Sequence, residues 1–375
     1  MRITKFAFVA VMSMLLALPA AQMIHPFVDI PSLQENRTLT PFPDLMGVIR
    51  HEHARLAPRI NKWFDDHMGF RPLLTRISNQ IDYSVFGVSQ NVVVGQKGWF
   101  YDPGWLFDQV YQERGGDRLQ QQARTKIVQL ATYLAKRNIK LVVVSVPLSS
   151  TLYPEFLPAG APRIPRPSQF DKFTEFLKGR QDLLYVDGLD ALTPHKSMGV
   201  FFTTDHHYNQ CGGYFIARAL IRTVAASEGR NDPWDRDVHF KTYPGFSGAF
   251  VRFLSAFVTL QETICGLEQA NLVDYKNLPA GQSLVEATPP FEYVYRNDDS
   301  RKDKLPPTVF FGSSFLDWLP TVGVLEYFSR IYRFRSDGAG IDRALDAMPA
   351  DTRYFVLLFI QPFFQNLTIL EVPGD

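Results

Sequence analysis

Short, largely apolar runs alternate with helix-like segments along the second half of the chain. The apolar runs occupy residues 141–146, 183–187, 308–312 and 354–360. The helix-like segments occupy residues 118–137, 168–179 and 212–226. Apolar strands that alternate with helices are typical of a parallel sheet covered by helices on both faces. We therefore predict an α/β fold with a mostly parallel sheet.

The first part of the chain has a different pattern. Residues 6–24 carry no formal charge and follow Arg2 and Lys5, as in a secretory signal or a membrane-spanning helix. Because residues 18–22 offer a poor small-x-small cleavage site, we favour an uncleaved signal anchor over a cleaved signal peptide. The positive end would then be cytoplasmic and the rest of the chain exported.

The remaining organisation follows from proline content and helical spacing. Residues 26–45 contain four prolines and are interpreted as an extended stalk after the segment 1–25. Residues 46–86 have apolar positions at helical spacing and predict a helical stretch. The strand–helix alternation is interrupted at about residues 230–305, which we interpret as an insertion in a single domain, 46–375.

Composition excludes some classes of function. Hydrophobic residues make up 46% of the chain and charged residues 21%, which excludes a disordered or fibrous protein. Lys and Arg total 39 against 38 for Asp and Glu, so the formal net charge is +1. This balance lacks the basic surface that nucleic-acid binding normally requires, and we expect no nucleic-acid partner.

Two cysteines, Cys211 and Cys265, fit an oxidising compartment and one disulfide. The sequence alone leaves a second interpretation open, in which they are two separate buried thiols.

The end of the third apolar run carries candidate chemistry. Gly312, Ser313 and Ser314 follow it directly, and a helix is expected next. Glycine allows a sharp turn, and a serine at a helix N-terminus lies beside free N–H groups that can stabilise an oxyanion. Either serine could instead be an ordinary N-cap.

A second candidate lies near residue 205. Asp205 and His207 are two positions apart, so both project to one side of an extended segment. Histidine is the usual base for a serine nucleophile, and a carboxylate fixes its tautomer. Two alternatives remain: Asp205 or Asn209 caps a helix, or Asp205, His206 and His207 hold a metal.

Six segments, in chain order, resemble motifs of one family, the exported polysaccharide O-acetyltransferases typified by the X and J proteins of alginate biosynthesis. They are residues 35–43, 64–71, 94–101, 146–155, 204–208 and 312–315. Thr204-Asp205-His206-His207-Tyr208 is similar to the family's Thr-Asp-x-His-Trp box, and Gly312-Ser313-Ser314-Phe315 to its Gly-Asp-Ser-Phe box.

The resemblance implies an SGNH-hydrolase-like three-layer αβα sandwich in which the Asp-x-His box precedes the serine, a circularly permuted motif order. It implies that Ser314 is the nucleophile, His207 the general base and Asp205 its orienting partner. The N–H of Ser314 would be one oxyanion donor, with Gly312, Ser313 and Tyr208 as further candidates for oxyanion or substrate binding. It implies no metal and no cofactor.

The implied function is transfer of acetyl groups to hydroxyls of an exported polysaccharide through an acetyl-serine. The implied partners are the polysaccharide acceptor, the inner membrane and a membrane-bound O-acyltransferase that supplies acetyl groups in the periplasm. Two alternatives remain: a polysaccharide acetylesterase with the same triad, and a non-catalytic scaffold of an export complex. Ser149 and Gln361 depart from the family pattern, so alginate is not assumed to be the polymer.

Overall fold

The computed structural model describes residues 2–372 except for a set of short segments, namely 34–37, 45–52, 112–115, 235–236, 270–271, 275–277, 279–280, 287–290, 298–303, 337–339, 363–366 and 368–369. The motif at residues 35–37 and the predicted helix start at residue 46 lie outside the described residues.

In the described residues the α-helices are, in chain order, α1 (Arg2–Ile24), α2 (His53–His67), α3 (Arg71–Ile81), α4 (Pro103–Val110), α5 (Gly116–Ala135), α6 (Ser149–Leu152), α7 (Gln169–Lys178), α8 (Gly188–Leu192), α9 (Gln210–Ser227), α10 (Ala249–Phe253), α11 (Trp318–Thr321) and α12 (Ile341–Asp346). The strands are β1 (Val93–Val94), β2 (Phe100–Tyr101), β3 (Lys140–Val146), β4 (Leu184–Asp187), β5 (Phe240–Phe246), β6 (Glu262–Leu267), β7 (Gln282–Glu286), β8 (Tyr293–Asn297), β9 (Thr308–Gly312), β10 (Arg330–Arg335) and β11 (Tyr354–Ile360).

The chain divides into two compact units. The first comprises residues 1–94 and 249–260, and the second residues 95–248 and 261–375. Helices α2 and α3, which fall within the predicted domain 46–375, lie in the first unit.

A seven-stranded sheet forms the centre of the second unit, in the order β4-β3-β11-β9-β10-β8-β7. The strands β4, β3, β11, β9 and β10 run parallel, whereas β8 and β7 are antiparallel. The prediction of a mostly parallel α/β sheet is confirmed. Part of the predicted insertion, β7 and β8, extends this sheet, and β5 and β6 form a separate antiparallel pair.

Helices cover the sheet on both faces. On one face α5, α7 and α12 pack against alternate residues of the central strands, and the shared core includes Ile127, Leu130, Phe173, Leu177, Ile341, Leu345, Val143, Val309, Phe355 and Leu357. Because side chains alternate along a strand, Val356 and Leu358 point to the opposite face. There α9 contacts β4 and α8 contacts β3. This is the expected three-layer arrangement.

The strand β10 is not predicted by the sequence analysis. Its sequence is Arg-Ile-Tyr-Arg-Phe-Arg, and three arginines are not typical of a strand that lies inside a sheet. Even so, the strand lies between β9 and β8. Arg333 is nevertheless fully buried. An arginine can be buried in a strand only when residues from other parts of the chain pair with it. The local sequence does not show those partners, so it does not predict this strand.

The single helical stretch predicted over residues 46–86 is wrong in one respect, because it is interrupted between α2 and α3. Phe70 has a φ of 63°, in the left-handed region, and Pro72 lies in the first turn of α3. The left-handed backbone of Phe70 interrupts the helix, and Pro72 is accommodated in the first turn of the next one, where its missing N–H has no intrahelical partner.

Helix α1 contains Thr4–Ile24, which has a mean hydropathy of 2.0 and is long and apolar enough to cross a membrane. Within the first unit, α1 packs against the turn before α3. A Cβ added at Gly69 would lie 2.1 Å from the Pro19 carbonyl oxygen. The rings of Phe27 and Phe70 meet edge to face at 5.9 Å.

Cys211 and Cys265 form a disulfide with their Cα atoms 5.7 Å apart. It joins the first turn of α9 to β6 across a sequence separation of 54 residues. Closing a loop of this length restricts the unfolded chain, which is worth about 4 kcal/mol in the chain-entropy description.

We predict that the double variant Cys211→Ser/Cys265→Ser has a free energy of unfolding about 2–4 kcal/mol below that of the wild type. Urea titration of the detergent-solubilised full chain measures this difference. Wild-type protein in excess reductant should match the variant. An unchanged unfolding midpoint after reduction would contradict the prediction.

Candidate active site

The candidate nucleophile follows the central strand β9. Gly312 is its last residue, and Ser314 begins a 3₁₀ turn that ends at Leu316. A Cβ at Gly312 would lie 2.9 Å from the carbonyl oxygen of Leu358 on β11, so only glycine lets the two strands approach this closely. The chain therefore reaches Ser314 at the carboxyl edge of the sheet, where ligands bind in open α/β folds.

The candidate base lies in a tight loop before α9. The N–H of His207 donates to Asp205 Oδ1 at 3.2 Å, which fixes the two residues in an Asx-type turn. The N–H of Phe202 donates to the carbonyl of His207 at 3.2 Å. Asn209 caps α9, accepting hydrogen bonds from the N–H groups of Cys211 and Gly212. Asn209, rather than Asp205, is thus the helix cap.

Asp205, His207 and Ser314 form a continuous hydrogen-bonded chain. His207 Nδ1 lies 2.7 Å from Asp205 Oδ1, and His207 Nε2 lies 2.7 Å from Ser314 Oγ. In this arrangement Nε2 can accept the serine proton while the carboxylate stabilises the imidazolium that forms. The structure therefore brings together the three residues that the sequence singled out, across 107 positions of sequence.

Glu262 holds the loop that carries Asp205. Its carboxylate accepts the N–H groups of Thr203 at 2.6 Å and Thr204 at 2.8 Å, and both threonine hydroxyls as well. Glu262 has no signal in the sequence, because nothing in the local pattern relates it to a loop more than fifty residues earlier. Both Glu262 and Cys265 are on β6, so this strand fixes the loop and the start of α9 together.

His206 contacts both His207 and Trp105. Its ring stacks on His207 at a centroid distance of 3.9 Å and meets the edge of Trp105 at 5.3 Å. Burial, with a smaller contribution from His207, lowers the pKa of His206 to about 4, against an opposing effect of Asp205. His206 is therefore neutral near pH 7 and adds no positive charge beside the base.

The metal alternative involves the same side chains. Ligand atoms of Asp205, His206 and His207 lie within 4.8 Å of one another. However, both ring nitrogens of His207 are already engaged, one by Asp205 and one by Ser314. An ion bound here would have to displace at least one hydrogen bond of the triad, so the geometry favours the catalytic interpretation.

Tyr208 and Ser313, two further candidates for oxyanion or substrate binding, both have buried hydroxyl groups. Tyr208 is fully buried and donates its hydroxyl to the carbonyl of Phe315, so it packs beneath the nucleophile and does not line the site. Burial raises the pKa of this phenol. The Ser313 hydroxyl oxygen is buried and has no hydrogen-bond partner in the described part of the chain.

The two remaining departures from the family pattern lie at the ends of β3 and β11. Ser149 is buried in α6. Gln361 follows β11 and its side-chain oxygen accepts the N–H of Leu148 at 3.0 Å and the hydroxyl of Thr151 at 2.7 Å. Gln361 therefore ties α6 to the centre of the sheet by hydrogen bonds that need no charge.

A sequence profile described as "SGNH hydrolase-like domain, acetyltransferase AlgX" matches residues 92–348. Two relatives, each named "Probable alginate O-acetylase AlgJ", are 24% identical to the chain. The protein from Azotobacter vinelandii matches over 175 residues, 46% of this chain and 44% of its own length, and the protein from Pseudomonas aeruginosa over 170 residues, 45% and 42%. The chain thus spans less than half the length of the curated relatives it matches.

Among solved structures, that of Bacillus cereus PatB1 with a sulfonyl adduct has a TM-score of 0.53 at 10% identity, and the likeness covers 75% of this chain and 100% of that chain. At this identity the likeness concerns the fold alone. Together with the profile it confirms the predicted SGNH hydrolase-like fold.

We predict that His206→Phe reduces the pH dependence of stability between about pH 4 and pH 6.5. An unfolded imidazole takes up its proton near pH 6.5, whereas folded His206 does so near pH 4, so wild-type stability falls as the pH is lowered through this window. The wild type should lose about 2–3 kcal/mol more than the variant. Urea titrations at several pH values measure this.

His206→Gln should behave like His206→Phe, because neither side chain titrates. Parallel pH profiles for wild type and both variants would contradict the low pKa of His206.

Proposed function

This chain belongs to the AlgX family of SGNH hydrolase-like acetyltransferases, and from that premise we propose that it transfers acetyl groups to hydroxyls of an exported polysaccharide through an acetyl-serine on Ser314. The observation that carries this proposal is the unbroken chain from Asp205 through His207 to Ser314, with both distances at 2.7 Å. These residues stand in the order that the family resemblance implies.

In the first half-reaction Ser314 Oγ attacks the carbonyl carbon of an acetyl donor while its proton passes to His207 Nε2. The N–H of Ser314 stabilises the oxyanion of the tetrahedral intermediate. The bond to the leaving group then breaks, and the leaving group takes the proton from His207. The product is an acetyl ester of Ser314.

In the second half-reaction a sugar hydroxyl attacks the acetyl carbon and gives its proton to His207. The ester bond to Ser314 breaks and the proton returns to Ser314 Oγ. Asp205 remains ionised and stabilises the imidazolium in both halves. The acceptor sugar must lie close enough to attack in place of water.

The names of the relatives, alginate O-acetylases, support a polysaccharide acceptor without defining the polymer for this chain. An exported domain lacks access to cytoplasmic acetyl-CoA, so we place a membrane-bound O-acyltransferase as the donor partner. We place the catalytic unit in the periplasm, attached to the inner membrane by α1. The packing of Gly69 against Pro19 supports a retained helix.

We predict that Ser314→Ala abolishes acetylation of the protein and lowers acetyl transfer by at least about 10³-fold, because the nucleophile is lost. The detergent-solubilised full chain is incubated with a chromogenic acetyl ester, with and without oligosaccharides, and intact mass and acetylated sugar are measured. Ser283→Ala, which removes an exposed serine on β7, is the matched control and should behave as wild type.

Three outcomes separate the alternatives. An acetyl adduct in wild type but not in Ser314→Ala, with acetyl found on the sugar, supports the transferase. Release to water alone, for every acceptor tried, identifies an esterase. No adduct in either protein, together with normal polymer acetylation in cells that carry Ser314→Ala, overturns the proposal in favour of a scaffold.

We further predict that the mature protein keeps residues 1–24 and sediments with the inner membrane after carbonate extraction, because α1 is apolar and packs within the first unit. Intact-mass measurement of protein purified from membranes gives the N-terminus. A mature chain that begins after residue 20 and appears in the soluble periplasmic fraction would contradict this.

A further inference from the structure

Arg333 is the largest fully buried side chain among the described residues, and the triad chemistry makes no use of it. It lies on β10, next to β9 and opposite Phe310 in the register of the sheet. A buried guanidinium is costly unless its N–H groups and its charge are satisfied. The partners of Arg333 therefore indicate what the residue does.

Its N–H groups donate to the backbone just before the nucleophile. Nη1 donates to the carbonyl of Gly312 at 2.9 Å, and Nη2 donates to the carbonyl of Ser313 at 2.9 Å. Nη1 also donates to the carbonyl of its neighbour Phe334. The guanidinium thus fixes both peptide groups that connect β9 to Ser314.

Its charge is balanced by two carboxylates. Arg333 Nε lies 3.2 Å from Glu292, and Nη2 lies 3.4 Å from Asp317. Arg335 pairs with the same two carboxylates, at 3.1 Å each. The N–H of Asp317 donates to the carbonyl of Ser314 at 3.0 Å, so Arg333 contacts the nucleophile turn on both sides of Ser314.

The contact with the Ser313 carbonyl orients the amide of Ser314. In a planar trans peptide the C=O and the following N–H point in opposite directions. Arg333 Nη2 and the N–H of Leu316 both hold the Ser313 carbonyl on one side. The N–H of Ser314 must then point to the other side, away from the guanidinium.

We propose that Arg333 is a positioning residue that fixes the peptide between Ser313 and Ser314, so that the Ser314 N–H is set as the oxyanion donor while Ser314 Oγ stays aligned with His207. This inference rests on the proposed function. Arginine suits the task because its rigid fork reaches two carbonyls at once, whereas lysine has a single point of attachment.

The test compares Arg333→Lys with Arg335→Lys. Both variants keep a positive charge, and both disturb the pairing with Glu292 and Asp317. Only Arg333→Lys removes the fork that holds the two carbonyls. Pre-steady-state acetylation of Ser314 by a chromogenic acetyl ester is followed in the full chain by absorbance and intact mass, and thermal unfolding is measured alongside.

For Arg333→Lys we expect acetylation and kcat to fall by about 30- to 100-fold with KM within a factor of about two, because the nucleophile is misplaced while ground-state binding is retained. Arg335→Lys should stay within about threefold of wild type in kcat. If Arg333 only stabilised the fold, both variants would instead unfold at a lower temperature. There would then be no selective fall in kcat at a nearly constant KM.

Equal kcat values for Arg333→Lys and wild type would overturn the inference. If Arg333→Lys does not fold, Asp317→Asn replaces it, because it removes the carboxylate beside Nη2, the nitrogen bound to the Ser313 carbonyl. We then expect kcat to fall by about three- to tenfold, and an unchanged kcat would overturn the inference. Failure of the proposed function is recognised separately, because wild-type Ser314 would then form no acetyl adduct at all.

Discussion

The strictest geometric demand at the site is one contact, the 2.7 Å hydrogen bond between His207 Nε2 and Ser314 Oγ. A hydrogen bond of this kind contributes only about 1 kcal/mol of net stability, so it cannot hold its two partners together by itself. Each partner must be fixed independently by the fold, and the contact then forms because the two positions coincide. The residues around the triad are best understood as two separate supports that meet at this bond.

The supports differ in kind. Ser314 is held by the sheet, since β9 lies between two parallel strands and Arg333 fixes the turn that follows it. His207 belongs to a loop, which has no sheet to hold it and relies on Glu262, the disulfide and the cap of α9. Apolar packing adds to these contacts, since Phe202 and Tyr208 of the same loop are buried. The histidine side of the contact is therefore held by side-chain contacts, and the serine side by the hydrogen bonds of the sheet.

The sequence could predict those parts of this arrangement that are encoded by neighbouring residues. The strands β3, β9 and β11 could be predicted because their side chains are apolar on both faces. The proximity of Asp205, His207 and Ser314 could be predicted because each of the two segments carries its reactive groups within a few residues. The roles of Arg333 and Glu262 could not be predicted. Each is a charged side chain that is buried or half-buried only because its partners, which are distant in sequence, lie next to it in the fold. The strand β10 was missed for the same reason, since its arginines look like surface residues until the sheet is assembled. The break between α2 and α3 had only a weak local signal, since Pro72 lies in the first turn of α3 but Pro58 lies inside α2.

The partial exposure of the triad bears on the choice between transfer and hydrolysis. The side chains of His207 and Asp205 keep 20% and 13% of their accessible surface, so water can reach the base. The proposed acetyl-serine would not be protected by burial alone, and a sugar hydroxyl would have to compete through its local concentration and orientation. The triad would remove a proton from a sugar hydroxyl and from a water molecule in the same way. Selectivity for the acceptor must then come from the surfaces that bind the sugar ring. Trp105, whose ring meets that of His206 edge to face at 5.3 Å, is an aromatic residue close enough to the triad to contribute to such a surface.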